Sequence, residues 1–100
     1  MSASSRLAGF YRQSVAERQA TLRENNNLTE SEADALTRGG LAIDIANRLI
    51  ENVVGVYGLP LGIAANFLIN GRDYVIPMAI EEPSVVAAAS HAAKLVRDAG

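Results

Sequence analysis

The residue types best suited to chemistry in the second half of the sequence are a carboxylate and a hydroxyl at a predicted helix start. Glu82 is followed by Pro83, which is well tolerated at a first helical position, and then by Ser84. The hydroxyl and the free backbone N–H groups of a first helical turn can bind a carboxylate. Structural interpretations stay open for both residues. Glu82 is also a favourable acidic helix start, and the Ser84 hydroxyl could bond to its own backbone.

A second candidate segment lies earlier in the chain. Glu51 and Asn52 precede Val53 and Val54, and Gly55 ends the segment. Asn52 carries both donor and acceptor groups, and Gly55 permits close approach of the backbone to a ligand. The structural alternative is the exit of a helix into a strand, which we prefer for the two valines.

Other kinds of site are excluded or disfavoured by composition. The sequence has no cysteine, which excludes disulfides, thiolate nucleophiles and cysteine-based zinc sites. The single histidine, His91, fits the polar stripe of a helix better than the role of a base or metal ligand. Glycines 55, 58 and 62 do not form a GxGxxG dinucleotide fingerprint. A net charge of −2 gives no electrostatic reason to expect nucleic acid or a membrane surface.

The elements that must position these residues begin with short helices. The 100 residues form one domain at most, with charged residues concentrated early and apolar residues late. Capping-box spacing occurs twice, at Ser14 with Glu17 and at Thr29 with Glu32. These boxes and the later apolar spacing predict three helices, over residues 15–25, 29–39 and about 42–50. We find no secretory signal and no bilayer-spanning run, so we expect a soluble, cytoplasmic protein.

A β-hairpin is predicted at Asn70-Gly71, because both positions of a tight hairpin turn favour these residues and β-favouring runs flank them. Counting outward from this turn predicts three cross-strand pairs: Phe67–Tyr74, Ala65–Ile76 and Ile63–Met78. Pro77 should end regular pairing or lie at an edge. The sequence before the hairpin is also β-rich from Val53 onward.

The last predicted helix begins near Pro83 and is apolar around most of its circumference. Its polar residues are nearly confined to one stripe, formed by Ser84, His91, Lys94 and Asp98. Such a helix is buried on several sides, and one two-stranded hairpin cannot bury it. The sequence therefore predicts either a piece of a larger protein or a subunit that needs a partner, and we expect self-association.

Two stretches resemble known motifs of one family. Glu51 to Gly55, followed by Leu59 to Gly62, resembles the ENVIG substrate-binding segment of hydroxymethylglutaryl-coenzyme A reductases. The stretch from Glu81 to Ser90 is similar to the segment that carries the catalytic glutamate of that family. The opening residues 5–12 and the stretch 44–47 are similar to the class II (bacterial-type) members. Val54 departs from the usual isoleucine, which should be a small packing change.

This resemblance implies an α+β fold of short N-terminal helices, a β-hairpin and one long buried helix. Residues 1–40 would form a helical arm, and residues 41–100 the first part of the large substrate-binding domain. The nucleotide-binding domain, which would bind NAD or NADP, is expected to be absent. So are the catalytic lysine, aspartate and histidine of the family. No metal is implied, and the family assembles as homodimers or higher homo-oligomers.

The resemblance also implies roles for individual residues. Glu82 matches the catalytic glutamate, since a carboxylic acid beside a lysine can protonate a carbonyl oxygen. Ser84 would contact the substrate carboxylate. Arg12 would meet a phosphate of coenzyme A, although a solvated arginine is the alternative. Substrate-binding roles fall to the motif residues Glu51, Asn52 and Gly55.

The implied function is that of an N-terminal part of a reductase that interconverts hydroxymethylglutaryl-CoA with mevalonate and coenzyme A. Alone, the chain is expected to be inactive because the other catalytic groups are missing. The alternative is a non-catalytic binding or oligomerisation module derived from the same fold.

Overall fold

The computed structural model describes residues 4–99, which form an α+β arrangement as predicted. A 3-10 turn, Phe10–Arg12, precedes three helices and a hairpin, and a fourth helix follows. The elements are α1 (Val15–Asn26), α2 (Glu30–Arg38), α3 (Ile43–Leu49), β1 (Leu61–Ile69), β2 (Arg72–Ala79) and α4 (Val85–Val96). No helix in this part of the chain has the length and apolar character needed to cross a membrane.

Both predicted capping boxes are present and set the starts of α1 and α2. Ser14 N–H donates to Glu17 Oε1 at 2.8 Å, and Glu17 N–H donates to Ser14 Oγ at 3.1 Å. Thr29 and Glu32 make the same reciprocal pair. These hydrogen bonds satisfy backbone N–H groups that have no partner inside the helix. The three helices lie within a residue or two of their predicted bounds.

The hairpin turn is also confirmed, but the predicted register fails beyond the first pair. Phe67 pairs with Tyr74 as expected, whereas Ile76 faces Ala64 and not Ala65. The same shift places Ile63 opposite Pro77, and Met78 opposite Gly62.

A β-bulge between Ala64 and Phe67 is the physical reason for this shift. Asn66 has a φ of 72°, in the left-handed region, and an inserted residue in one strand slips every pair after it. Pro77 lies within β2, whose other edge is unpaired in the described residues, so its missing N–H costs no hydrogen bond across a sheet.

Helix α4 packs on β1, and the contact is made by small residues. A Cβ added to Gly62 would lie 3.1 Å from Cγ2 of Val86, so the helix approaches the strand closely there. The buried apolar residues of the described chain are all alanines: Ala46, Ala64, Ala65 and Ala93. The other side of α4 is open, and Leu95 and Val96 are 71% and 62% exposed. The hairpin covers only one side of α4, as the sequence predicted.

The start of α4 differs from its prediction. The helix begins at Val85, and Ser84 is its N-cap residue with a φ of 74°. Ser84 is therefore not in the first turn, and its side chain makes no capping hydrogen bond. Residues 83–84 instead form a turn that redirects the chain from β2 into the helix.

The buried apolar residues are small, and the molecule is elongated. The radius of gyration is 15.9 Å, against about 13 Å for a compact domain of this length. Large apolar side chains on α3 and in residues 50–59 stay exposed, among them Leu49, Ile50, Val54 and Tyr57. The fold therefore presents apolar surface that its own elements leave uncovered.

Candidate functional site

The open end of the hairpin, opposite the Asn70-Gly71 turn, connects to both candidate segments. Ile80 N–H donates to the Pro60 carbonyl oxygen at 3.1 Å, which extends the ladder beyond β1 and β2. The segment that ends at Pro60 and the loop that follows Ile80 therefore leave the hairpin side by side. Glu82 lies in that second loop and is exposed. The structure thus places Pro60, the last residue of the 51–60 segment, beside the start of the 81–84 loop.

The 51–55 segment is irregular, so the predicted strand at Val53 and Val54 is wrong. Within residues 4–99, no strand begins before Leu61. Asn52 has a φ of 57°, a conformation that asparagine tolerates better than most residues. A Cβ on Gly55 would meet nothing within 4 Å, so the close approach that this glycine permits is not used within the chain.

The side chains in the two segments are open to solvent. Glu51, Asn52, Glu82 and Ser84 are all exposed. No hydrogen bond between residues 4 and 99 joins a side chain of one segment to a side chain of the other. The Ser84 hydroxyl, which caps nothing, is free to accept or donate. The arrangement offers a carboxylate and a hydroxyl beside a helix N-terminus, where an anionic ligand is favoured.

Arg12 lies at the end of the 3-10 turn and is exposed. Its Nε donates to the Tyr11 Oη at 2.9 Å, and its guanidinium carbon is 5.2 Å from the centre of the Tyr11 ring. These contacts hold the guanidinium against an aromatic face without neutralising its charge. The structure does not join Arg12 to either candidate segment by a hydrogen bond.

The sequence reasoning missed a polar cluster at the turn end of the hairpin. Ser5 is 1% exposed, and its backbone N–H donates to Asp73 Oδ1 at 3.0 Å. Arg97 Nη2 donates to the same oxygen at 2.5 Å, and Arg97 Nη1 donates to Ser5 Oγ at 3.0 Å. The Arg97 guanidinium, followed by the Ser5 N–H, lowers the pKa of Asp73 from 3.8 to about 2. The cluster ties the N-terminal segment, the hairpin and the end of α4 together.

The same cluster satisfies the backbone groups that the β-bulge frees from the ladder. Asn66 N–H donates to the Ser5 carbonyl oxygen at 2.8 Å, and Arg97 Nη1 donates to the Asn66 carbonyl oxygen at 3.1 Å. The Ser5 hydroxyl lies 2.8 Å from the Phe67 carbonyl oxygen. Ala65 N–H donates to Ser90 Oγ at 2.9 Å. One sequence signal could have indicated the bulge, namely an asparagine inside a β-favouring run.

The described residues do not fit a nicotinamide dinucleotide or a metal ion. Gly55 and Gly58 lie in irregular backbone and Gly62 lies in β1, so none stands at a strand-to-helix turn. Between residues 4 and 99, no group of three or more His, Asp or Glu side chains is placed to hold a metal. The candidate site therefore consists of the exposed Glu82 carboxylate, the Ser84 hydroxyl and the irregular 51–55 segment.

Comparison with known proteins connects this chain to one family. The family model described as hydroxymethylglutaryl-coenzyme A reductase matches residues 14–100. A 3-hydroxy-3-methylglutaryl-coenzyme A reductase of Archaeoglobus fulgidus is 58% identical over 97 residues, which cover 97% of this chain and 22% of that protein. A probable reductase of the same name from Borreliella burgdorferi is 46% identical over 56 residues, or 56% of this chain and 13% of that protein.

The fold is similar to solved structures as well. The class II 3-hydroxy-3-methylglutaryl-CoA reductase from Streptococcus pneumoniae, bound to NADPH in open conformations, matches with a TM-score of 0.83 and 38% identity. That match covers 93% of this chain and 26% of that chain. The chain thus spans about a quarter of the length of these proteins, with 22% of the Archaeoglobus fulgidus protein and 26% of the Streptococcus pneumoniae chain covered.

Proposed function

Since the chain belongs to the hydroxymethylglutaryl-coenzyme A reductase family, we propose that it supplies the N-terminal part of the substrate-binding domain of such an enzyme. The proposed reaction is the two-step reduction of hydroxymethylglutaryl-CoA to mevalonate and coenzyme A, or its reverse. The observation that carries the proposal is the pairing of Ile80 with Pro60, which places the start of the 81–84 loop beside the end of the 51–60 segment, within the region that the family model matches.

Glu82 is proposed as the acid that delivers a proton to the carbonyl oxygen of the substrate. It lies outside the helix, in a bend after β2, where its carboxyl group can reach a ligand without moving the helix. A positioned acid at a reacting oxygen contributes roughly 100- to 10,000-fold to a rate. Proton delivery needs a source that recharges the glutamate, and a lysine outside this chain would fill that role.

Ser84 and the 51–55 segment are proposed to hold the substrate. Ser84 presents a free hydroxyl at the N-terminus of α4, whose dipole favours the carboxylate of the substrate. Glu51 and Asn52 supply acceptor and donor groups from the opposite segment, and Gly55 leaves room for a ligand against its backbone. Arg12, held against Tyr11, would pair with a phosphate of coenzyme A.

The nicotinamide cofactor, NAD or NADP, is proposed to bind outside the described residues, because none of their glycines forms the required turn. On this proposal the cofactor supplies the hydride. The isolated chain should therefore not turn over, and an oxidation assay with the purified 100-residue chain checks this directly.

A Glu82→Gln variant tests the proposed reaction. In the Archaeoglobus fulgidus relative, the matching segment is replaced by the 100 residues of this chain. NAD(P)H oxidation with hydroxymethylglutaryl-CoA is then followed. We expect kcat to fall by about 100-fold or more, with KM little changed. Glu81→Gln removes the same charge from the neighbouring residue and serves as the matched control. An undiminished rate for Glu82→Gln would refute the assignment.

A homo-oligomer is also proposed, on the basis of the open side of α4. Ala88, Ala92 and Leu95 recur at helical spacing and are exposed, on a face that the hairpin does not cover. An apolar face of this kind is buried in a stable assembly. Light scattering on the purified protein measures it, and a monomer at micromolar concentration would count against self-association.

A further inference from the structure

The hydrogen bonds between the β-bulge and α4 fix how far the helix lies along the strand. Ala65 N–H donates to Ser90 Oγ at 2.9 Å, and Asn66 Nδ2 donates to the Ser90 carbonyl oxygen at 3.1 Å. Arg97 Nη1 donates to the Asn66 carbonyl oxygen at 3.1 Å. Ser90 and Arg97 are two helical turns apart, so both face β1. The strand is held at two points along the helix.

Away from the contact of Val86 with Gly62, apolar packing would define this axial position poorly. The facing residues are small, with Ala64 and Ala65 on the strand and Ala93 on the helix all buried. Such surfaces lack the large side chains that interdigitate and resist sliding. A slide of the helix would instead leave the buried Ala65 N–H without its acceptor, which is costly.

We propose that Asn66, Ser90 and Arg97 form a register lock that sets the position of α4 along β1, and thereby positions Glu82 and Ser84. Ser84 is the N-cap of α4, and Glu82 lies two residues before it. A helix moves as a rigid unit, so a displacement at Ser90 is carried to its N-terminus. These three residues are positioning residues, and the inference rests on the proposed function of Glu82.

The register lock is itself held by two further side chains. Arg97 is 10% exposed, and its Nη2 donates to Asp73 Oδ1 at 2.5 Å. Its Nη1 also donates to the fully buried Ser5 hydroxyl at 3.0 Å. Because the guanidinium is planar and is held on both terminal nitrogens, the direction of its bond to Asn66 is fixed. Asp73 and Ser5 therefore keep Arg97 aimed at the bulge.

Two variants, Ser90→Ala and Ser90→Thr, test the register lock. Both are made in the Archaeoglobus reductase that carries the 100 residues of this chain. Ser90→Ala removes the acceptor of the Ala65 N–H, and we expect kcat to fall by roughly 10- to 100-fold, as small misplacements of reacting groups do. Ser90→Thr keeps a hydroxyl and should retain most of the rate. Should Ser90→Ala fail to fold, Arg97→Lys replaces it. It keeps the charge opposite Asp73 but cannot reach that carboxylate and Asn66 together, so kcat should fall several-fold.

A double-mutant cycle separates positioning from simple destabilisation. If Ser90 acts through Glu82, then Ser90→Ala should have little further effect on kcat in the Glu82→Gln background. Thr29→Ala is the control, because it removes a remote capping box and lowers stability without touching α4. It should leave kcat near that of the parent.

The two proposals fail in different ways. An undiminished rate of Glu82→Gln contradicts the proposed function. If Glu82→Gln lowers the rate strongly but Ser90→Ala has a normal kcat, the register lock is overturned and the proposed function is not. Additive losses in the cycle, or a loss in Thr29→Ala as large as that in Ser90→Ala, also overturn it.

Discussion

Replacing Gly62 by alanine tests how closely α4 packs on β1. The new Cβ would lie 3.1 Å from Cγ2 of Val86, which is tighter than an ordinary contact, whereas Cγ1 at 3.5 Å lies at ordinary van der Waals distance. A valine in a helix has one strongly preferred rotamer and cannot easily turn aside. Overpacking of this kind costs about 1–3 kcal/mol, while losing a glycine from the unfolded chain returns about 0.4–1 kcal/mol. Taking the middle of each range, the net expectation is a loss of about 1.3 kcal/mol.

Urea unfolding followed by circular dichroism measures this loss. At about 4–8 °C per kcal/mol, the melting temperature should also fall visibly. Gly58→Ala is the matched control, because its Cβ would meet nothing within 4 Å, and it should be neutral or slightly stabilising. Adding Val86→Ala should cost less in the Gly62→Ala background than alone, since it removes the clash. If Gly62→Ala is as harmless as Gly58→Ala, the close packing described here is wrong.

Three further outcomes are expected. Ser14→Ala should remove the α1 capping box at a cost of about 1 kcal/mol, measured by unfolding. Because folding lowers the pKa of Asp73 from 3.8 to about 2, its contribution to stability is present above pH 3.8 and is lost as the pH falls towards 2. In Asp73→Asn this part of the acid-induced loss in urea midpoint should disappear, and an unchanged acid profile would contradict the pairing with Arg97. Leu95→Lys, on the open side of α4, should shift the protein towards monomer in light scattering; an unchanged mass would place the contact elsewhere.

Local signals predicted the elements, because the chemistry that forms them lies within a few residues. The capping box at Ser14 needs only Glu17, and the hairpin turn needs only Asn70 and Gly71. The register of the hairpin could not be counted from the turn alone. The conformation of Asn66 depends on partners far away in sequence, beginning with Ser5.

The candidate site was predictable in part for the same reason. The Glu82 loop and the 51–55 segment were each recognisable by residue type and resemblance, but the pairing of Ile80 with Pro60, which connects the two stretches of chain, is a long-range contact. The position of Ser84 was predicted one step too far into the helix. Its left-handed φ of 74° depends on the geometry of the connection from β2 to α4, which no local sequence pattern specifies.

The polar cluster explains how a fold with so little apolar core keeps one arrangement. Alanines bury little area, so away from the contact of Val86 with Gly62 the hydrophobic effect holds α4 on the hairpin without selecting a position. Buried donors and acceptors select it, because each position other than the native one leaves some of them unpaired. The bulge at Asn66 supplies those groups, and Ser5, Ser90 and Arg97 match them. The large apolar side chains are thereby left for surfaces outside the hairpin, where an assembly would bury them.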